Sequence, residues 1–170
     1  NPNPYDGEPI FNQGLAYFFL EKYNDAFESF YKSAWNSAWQ DAAYLYLARI
    51  AAIQNNFTEA FDLVTKSINR NYTSQTARHL KVLLLRKLGK IEQALQFANE
   101  SLEGDSFSFG ILFEKHLLQQ ERGDSNAAQE TIRKLIQLIR GNRETYFEYA
   151  FDYAHAGCYR EAIKLLEVLI

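Results

Sequence analysis

A single cysteine, Cys158, leaves no partner for an internal disulfide, so the order of this chain must come from packing, and a reducing cytoplasm is the compartment that suits it. Basic residues do not predominate: the net charge of -3 argues against nucleic acid as the main partner, because neutralising phosphates needs a basic surface. No apolar run reaches the length of a membrane span, and no basic segment followed by an apolar core opens the chain as a leader would, so a membrane partner is not expected. No glycine loop for phosphates and no nucleophile elbow appear. His79, His116 and His155 stand too far apart to give one helix a pair of metal ligands. Cys158 has neither a base nor an orienting group placed by the sequence, and is read as an exposed or half-buried bystander. A soluble module without catalysis, metal or cofactor is the expectation, and its 170 residues, 47% hydrophobic and 23% charged, can bury a core.

What is present is a period. Ala26, Ala60, Ala94, Ala128 and Ala162 follow one another at intervals of 34 residues. Three residues before each stand Tyr23, Phe57, Ile91, Ser125 and Tyr159, and four after it Phe30, Val64, Ala98, Ile132 and Leu166, with only Ser125 breaking the apolar rule. The column Glu21, Asn55, Gly89, Gly123 and Gly157 is rich in residues that tolerate a left-handed helix terminus. Several columns sharing one phase point to stacked units of helix, tight turn and helix, in which no unit buries its apolar face alone.

These columns resemble the tetratricopeptide (TPR) family. Gly14, Tyr17, Ala26 and Phe30 carry the pattern in the first repeat, and Leu47, Ala48, Phe57, Ala60 and Ser67 in the second. Later repeats depart from it: Val82 and His116 replace the small residue of the first helix before Ala150 restores it, and the proline that often closes a family repeat is absent. His116 is read as a packed core histidine. The resemblance implies an all-α solenoid of five 34-residue repeats forming a right-handed superhelix, at residues 7–40, 41–74, 75–108, 109–142 and 143–170, the last truncated. Residues 1–6, with Pro2 and Pro4 and no methionine start, read as a linker from a preceding domain. The segment Asn3 to Ala51, with Trp35, Ala38, Trp39, Ala42, Ala43 and Tyr44, is also similar to the TPR region of large bacterial proteins that carry a β-rich domain resembling carbohydrate-processing folds.

In the family the first helix of each repeat lines a concave groove. Counting by repeat position, the expected ligand-binding residues are Phe11, Phe18, Tyr46, Arg49, His79, Arg86, Lys87, Phe147, Glu148 and Phe151, giving an apolar, aromatic groove with a basic centre and an acidic end. For Phe11, Phe18 and Phe147, packing between repeats stands as an equal alternative; Tyr46, Arg49, Arg86 and Lys87 are read as reaching further into the groove. The row Glu144, Glu148, Asp152 is a solvated face or a docking stripe. Phe11, Leu15, Tyr46, Thr76 and Leu80 occupy the positions where chaperone-binding members clamp a terminal carboxylate, which argues against Hsp70 or Hsp90 tails as ligands. Trp35 and Trp39 are read chiefly as core at the first joint between repeats, with stacking on a sugar or on a preceding domain as the alternative. Two functions follow: a scaffold binding a peptide or protein segment in its groove, or a structural accessory of a bacterial carbohydrate-active protein acting within the same chain. Self-association through the apolar end at Leu165, Leu166, Leu169 and Ile170 is a lesser expectation.

The alanine column makes one expectation quantitative. Ala60→Leu should overpack a helix crossing and lower the unfolding free energy by about 1 to 3 kcal/mol, measured by urea denaturation.

Overall fold

The structure is a computed structural model and describes residues 6–168. Among the described residues there are ten helices and no strand: α1 (Gly7–Phe19), α2 (Tyr23–Ser33), α3 (Gln40–Ile53), α4 (Phe57–Arg70), α5 (Gln75–Lys87), α6 (Ile91–Gly104), α7 (Phe109–Glu121), α8 (Ser125–Ile139), α9 (Arg143–Ala154) and α10 (Tyr159–Glu167). None of them is long and apolar enough to cross a membrane.

Every odd-numbered helix stops by the same device. The turn residues Glu21, Asn55, Gly89, Gly123 and Gly157 all have positive φ, between 58° and 83°. The next residue then donates its backbone N–H to a carbonyl five positions back: Lys22 to Tyr17, Asn56 to Ala51, Lys90 to Leu85, Asp124 to Gln119, and Cys158 to Tyr153, each at 2.9 Å. That is the Schellman closure, which satisfies carbonyls the helix end would otherwise leave open. Glycine takes the left-handed conformation without a Cβ penalty, whereas Glu21 adopts it at a cost of about 1 to 2 kcal/mol. The chain is thereby turned back at once, and the following helices start at Tyr23, Phe57, Ile91, Ser125 and Tyr159. Two of those starts are capped by side chains: Asn56 accepts from the Glu59 N–H and Asp124 from the Ala127 N–H.

The chain divides into two compact units, residues 1–77 and 78–170, the boundary falling in the first turn of α5. In the first unit α1 lies against α2 and α3 against α4. A Cβ added to Gly14 would come within 2.8 Å of the Phe30 ring, so glycine is what lets α1 approach α2. Phe30 in turn stacks on Tyr46, with ring centroids 4.8 Å apart. The end of α4 is tied to the start of α3, where the Ser67 hydroxyl donates to the Asp41 carbonyl at 2.8 Å and the Asn71 amide to the Asp41 carboxylate at 2.9 Å.

The second unit pairs α7 with α8 and α9 with α10, and its core includes Leu83, Leu84, Ile111, Leu118, Leu135 and Leu165. Ala94, Ala128 and Ala162 are buried, as are Ala26 and Ala60 in the first unit. His116, standing in the small-residue column, is buried and reaches the Ala128 carbonyl at 2.8 Å.

Three expectations are corrected. Trp35 is 80% exposed rather than core: it stands just past the end of α2 and its ring meets Tyr31 edge-on. Trp39 alone of the pair joins the core, packed on Phe11 at 4.8 Å. Cys158 is buried, closing the turn before α10, and is not an exposed thiol. Leu165 is likewise buried, so it offers no surface for self-association. The linker expectation for Asn1–Tyr5 and the end residues Leu169 and Ile170 lie outside the described residues.

Candidate functional site

The ten residues expected in the groove fall into two sets, four in the first unit and six in the second. In the first unit Phe11 and Phe18 are buried, Tyr46 is half-buried, and all three belong to one aromatic cluster: Tyr46 meets Phe11 at 5.9 Å and Phe18 at 5.2 Å. Arg49 is buried with its guanidinium 5.0 Å from the Tyr46 ring centre. Edge-to-face contacts and a cation over a ring account for this arrangement as packing.

In the second unit Arg86 departs from its expected use. Instead of facing a ligand, its guanidinium is buried among three carboxylates. Nε donates to Glu114 Oε2 at 2.7 Å, Nη2 to Glu114 Oε1 at 3.2 Å and to Glu161 Oε1 at 3.1 Å, and Nη1 to Glu121 Oε1 at 2.9 Å. The Tyr153 hydroxyl adds a bond to Glu114 Oε1 at 2.6 Å, and Lys87 pairs with Glu161. The guanidinium joins α5 to α7 and α10, and Tyr153 ties α9 to the same cluster through Glu114. The fork geometry of Arg86 serves carboxylates from several directions at once, which a lysine could not do.

The electrostatics follow from burial and pairing. Burial opposes the Arg86 charge, but Glu114 and Glu161 outweigh it and hold the group above its ordinary pKa. Burial would raise Glu161 too, yet hydrogen bonds from Lys87 and Arg86 prevail and keep it below the usual carboxylate value. Tyr153, fully enclosed and beside Glu114, is pushed well up and stays protonated as a donor. The Cys158 thiol is pushed up to about 11 by burial and by Glu161, so at neutral pH it is a protonated, poor nucleophile.

His79 completes this interior. Its ring lies 4.8 Å from Tyr153 and 6.0 Å from Tyr149, both on α9. Gly110 of α7 makes the contact possible, for a Cβ there would stand 2.6 Å from His79 Nδ1 and 2.7 Å from the Tyr149 ring. Side chains of α5 thus reach α9 past α7, and the space that would be groove in this unit is occupied by the chain's own residues. Of the six expected residues, His79 and Arg86 are buried and Lys87 is half-buried, while Phe147, Glu148 and Phe151 are exposed.

The exposure of Phe147 and Phe151 sets them apart from the preceding residues of their columns. One repeat earlier their columns hold Phe113 and Leu117, 1% and 4% exposed, whereas Phe147 is 48% and Phe151 60% exposed. Phe151 stacks on His155 at 6.3 Å, and Glu144 and Glu148 are exposed on the same helix. The residues that sequence reasoning missed as partners are Glu161 and Tyr153. Glu114 was missed as well, and its signal in the sequence is a place between the apolar residues Ile111, Leu112 and Phe113 on one side and Leu117 and Leu118 on the other.

No family model matches the chain. Known structures with this arrangement of helices are numerous. The crystal structure of MamA protein superposes with a TM-score of 0.70 at 15% identity, covering 96% of this chain and 89% of that one. YrrB, described as a TPR protein with an unusual peptide-binding site, superposes with a TM-score of 0.68 at 16% identity, covering 99% and 87%. The chain has the tetratricopeptide solenoid fold. In sequence, this chain is 31% identical over 109 residues to N-alpha-acetyltransferase 16, NatA auxiliary subunit, of Homo sapiens, and equally to that of Mus musculus. The match takes in 64% of this chain and 13% of the length of those relatives.

Two outcomes are expected from the buried cluster. Arg86→Met leaves Glu114 and Glu161 without their counter-charge and should cost about 3 to 5 kcal/mol in urea denaturation. Because the folded pKa of Glu161 is depressed, its contribution to stability is complete above the unfolded carboxylate value and is lost as pH falls through the folded one. The thermal midpoint should therefore drop on acidification below about pH 4.3, and Glu161→Gln should flatten that drop.

Proposed function

We propose that this chain is a protein-interaction scaffold that holds a segment of a partner protein against the exposed face of α9. The observation that carries the reading is the exposure of Phe147 and Phe151 in columns that are buried one repeat earlier. Two aromatic rings four residues apart supply apolar anchors, and Glu144 and Glu148 beside them favour a partner segment with basic residues. Among the residues expected in the groove, Phe147, Glu148 and Phe151 make the contact. Tyr46 and Lys87, half-buried, present only their edges, and Phe11, Phe18, Arg49, His79 and Arg86 hold the helices in place. The relatives support a protein partner: one structural neighbour is named for a peptide-binding site, and the matched NatA chains are named as auxiliary subunits.

A second reading, an accessory role beside a carbohydrate-active domain, is favoured by Trp35. Its exposed ring borders a cleft of 510 Å³ lined also by Asp6, Lys32, Asn36 and Ser37. An aromatic face with polar groups around it is a surface on which a sugar ring can stack.

Immobilised chain and a Phe147→Ala, Phe151→Ala variant with an unchanged thermal melt, incubated with native lysate, separate these readings. Proteins retained by the wild type and lost by the variant are the expected result. An identical retained set would reject the α9 surface, and loss of retained material with Trp35→Ala instead would favour the accessory role.

A further inference from the structure

A phenylalanine followed by a glutamate occupies the same place in two successive repeats, as Phe113 and Glu114 on α7 and, 34 residues on, as Phe147 and Glu148 on α9. On α7 the pair is enclosed by two defined partners. The Phe113 ring meets Tyr153 of α9 edge-on at 6.0 Å, and the hydroxyl of the same tyrosine donates to Glu114 Oε1 at 2.6 Å. Both Glu114 oxygens also accept from the Arg86 guanidinium, at 2.7 and 3.2 Å. One tyrosine and one arginine thus satisfy an aromatic ring and a carboxylate that stand side by side.

On α9 the pair is exposed, and among the described residues neither side chain makes a hydrogen bond, ion pair or ring contact. The cation is not repeated either: the place of Arg86 one repeat on belongs to Gln120, which is uncharged. Glu148 has Glu144 and Asp152 one turn to either side, and Arg143 at the start of the helix forms no ion pair among the described residues. Like charges at that spacing repel, so a cation brought to Glu148 is favoured. The cover on α7 also tells which element fits such a column. Phe109 meets Tyr149 at 6.2 Å just as Phe113 meets Tyr153 one turn further along both helices, so the covering element is a helix parallel to the one beneath. The preceding turn differs, because Gly110, where an added Cβ would stand 2.7 Å from the Tyr149 ring, is replaced on α9 by Glu144. A helix received there needs a small residue one turn before its tyrosine.

We propose that Phe147 and Glu148 receive an α-helix of a partner protein, which lays a tyrosine on Phe147 and directs an arginine at Glu148, with a small residue one turn before the tyrosine and an aliphatic one a turn after it, over Phe151. This occupant depends on α9 being the partner surface, and it is specific in two respects: the segment is helical rather than extended, and its cation is an arginine, whose fork meets both oxygens of a carboxylate as Arg86 meets those of Glu114.

The test is a titration of the full chain, followed by amide NMR shifts, with a helical alanine and glutamine peptide containing Ala-Gln-Ala-Ala-Tyr-Ala-Ala-Arg-Leu. Three relatives accompany it: lysine for the arginine, glutamine for the arginine, and proline for the alanine after the tyrosine. The parent peptide should shift the amides of α9. Lysine should bind more weakly, glutamine more weakly by about fivefold or more, and the proline peptide, which cannot keep its helix, should not bind. Phe147→Ala should weaken the parent peptide about tenfold, and Glu148→Gln should abolish the preference for arginine over glutamine, each in a protein of unchanged melt. No shift on α9 with the parent peptide, equal binding of the lysine, glutamine or proline peptide, or a preference for arginine that survives Glu148→Gln would each overturn the assignment. The lysate experiment separates this failure from that of the α9 surface itself. Retention lost by Phe147→Ala, Phe151→Ala but kept by Glu148→Gln overturns the arginine contact alone, and retention kept by both variants overturns the two together.

Discussion

Two helices approach each other closely only where a side chain at the crossing is small, and that constraint shapes the helix pairs within each unit. Gly14 lets α1 meet Phe30 of α2, and the alanine column repeats the close approach at Ala26, Ala60, Ala94, Ala128 and Ala162. The constraint would have no effect if the helices were not first turned back on one another. The Schellman closures after α1, α3, α5, α7 and α9 do this, so a local backbone event and a packing event recur in the same phase. Where the small residue of the first helix is lost, as at His116, a hydrogen bond to Ala128 replaces the close contact.

Within the second unit a polar constraint is added. A buried guanidinium with three carboxylates and a tyrosine is a poor way to gain stability, since desolvating the ions offsets much of their attraction. It is an effective way to specify position, because every donor of Arg86 must find its acceptor at once. The same interior explains why the expected groove is not open there. His79 passes Gly110 to reach α9, and Arg86 reaches α10, so the groove-facing residues are spent on one another. On the proposed reading the partner surface lies outside this interior, on the exposed aromatic rings of α9.

Much of the fold was legible from particular residues. The turn column gave the positions of positive φ, because a left-handed helix terminus depends on interactions a few residues apart. The candidate site was legible only in outline. Phe147, Glu148 and Phe151 were expected on an accessible face and are exposed, but Arg86 was expected there and is buried. Nothing within a few residues of Arg86 announces Glu114, 28 positions on, or Glu161, 75 positions on. Trp35 shows the converse error: a large aromatic ring near a helix joint reads as core, yet its exposure depends on where the end of α2 points.

The sequence by itself determined the all-helical class, where the tight turn within each repeat falls, and which columns pack, since a shared 34-residue phase and the chirality of the backbone act locally and repeatedly. Only the tertiary structure decided which side chains of those columns face a partner and which are consumed within. Burial and charge pairing are properties of residues brought together from distant repeats, and a periodic pattern treats as equivalent positions, such as Phe113 and Phe147, that the folded chain makes different.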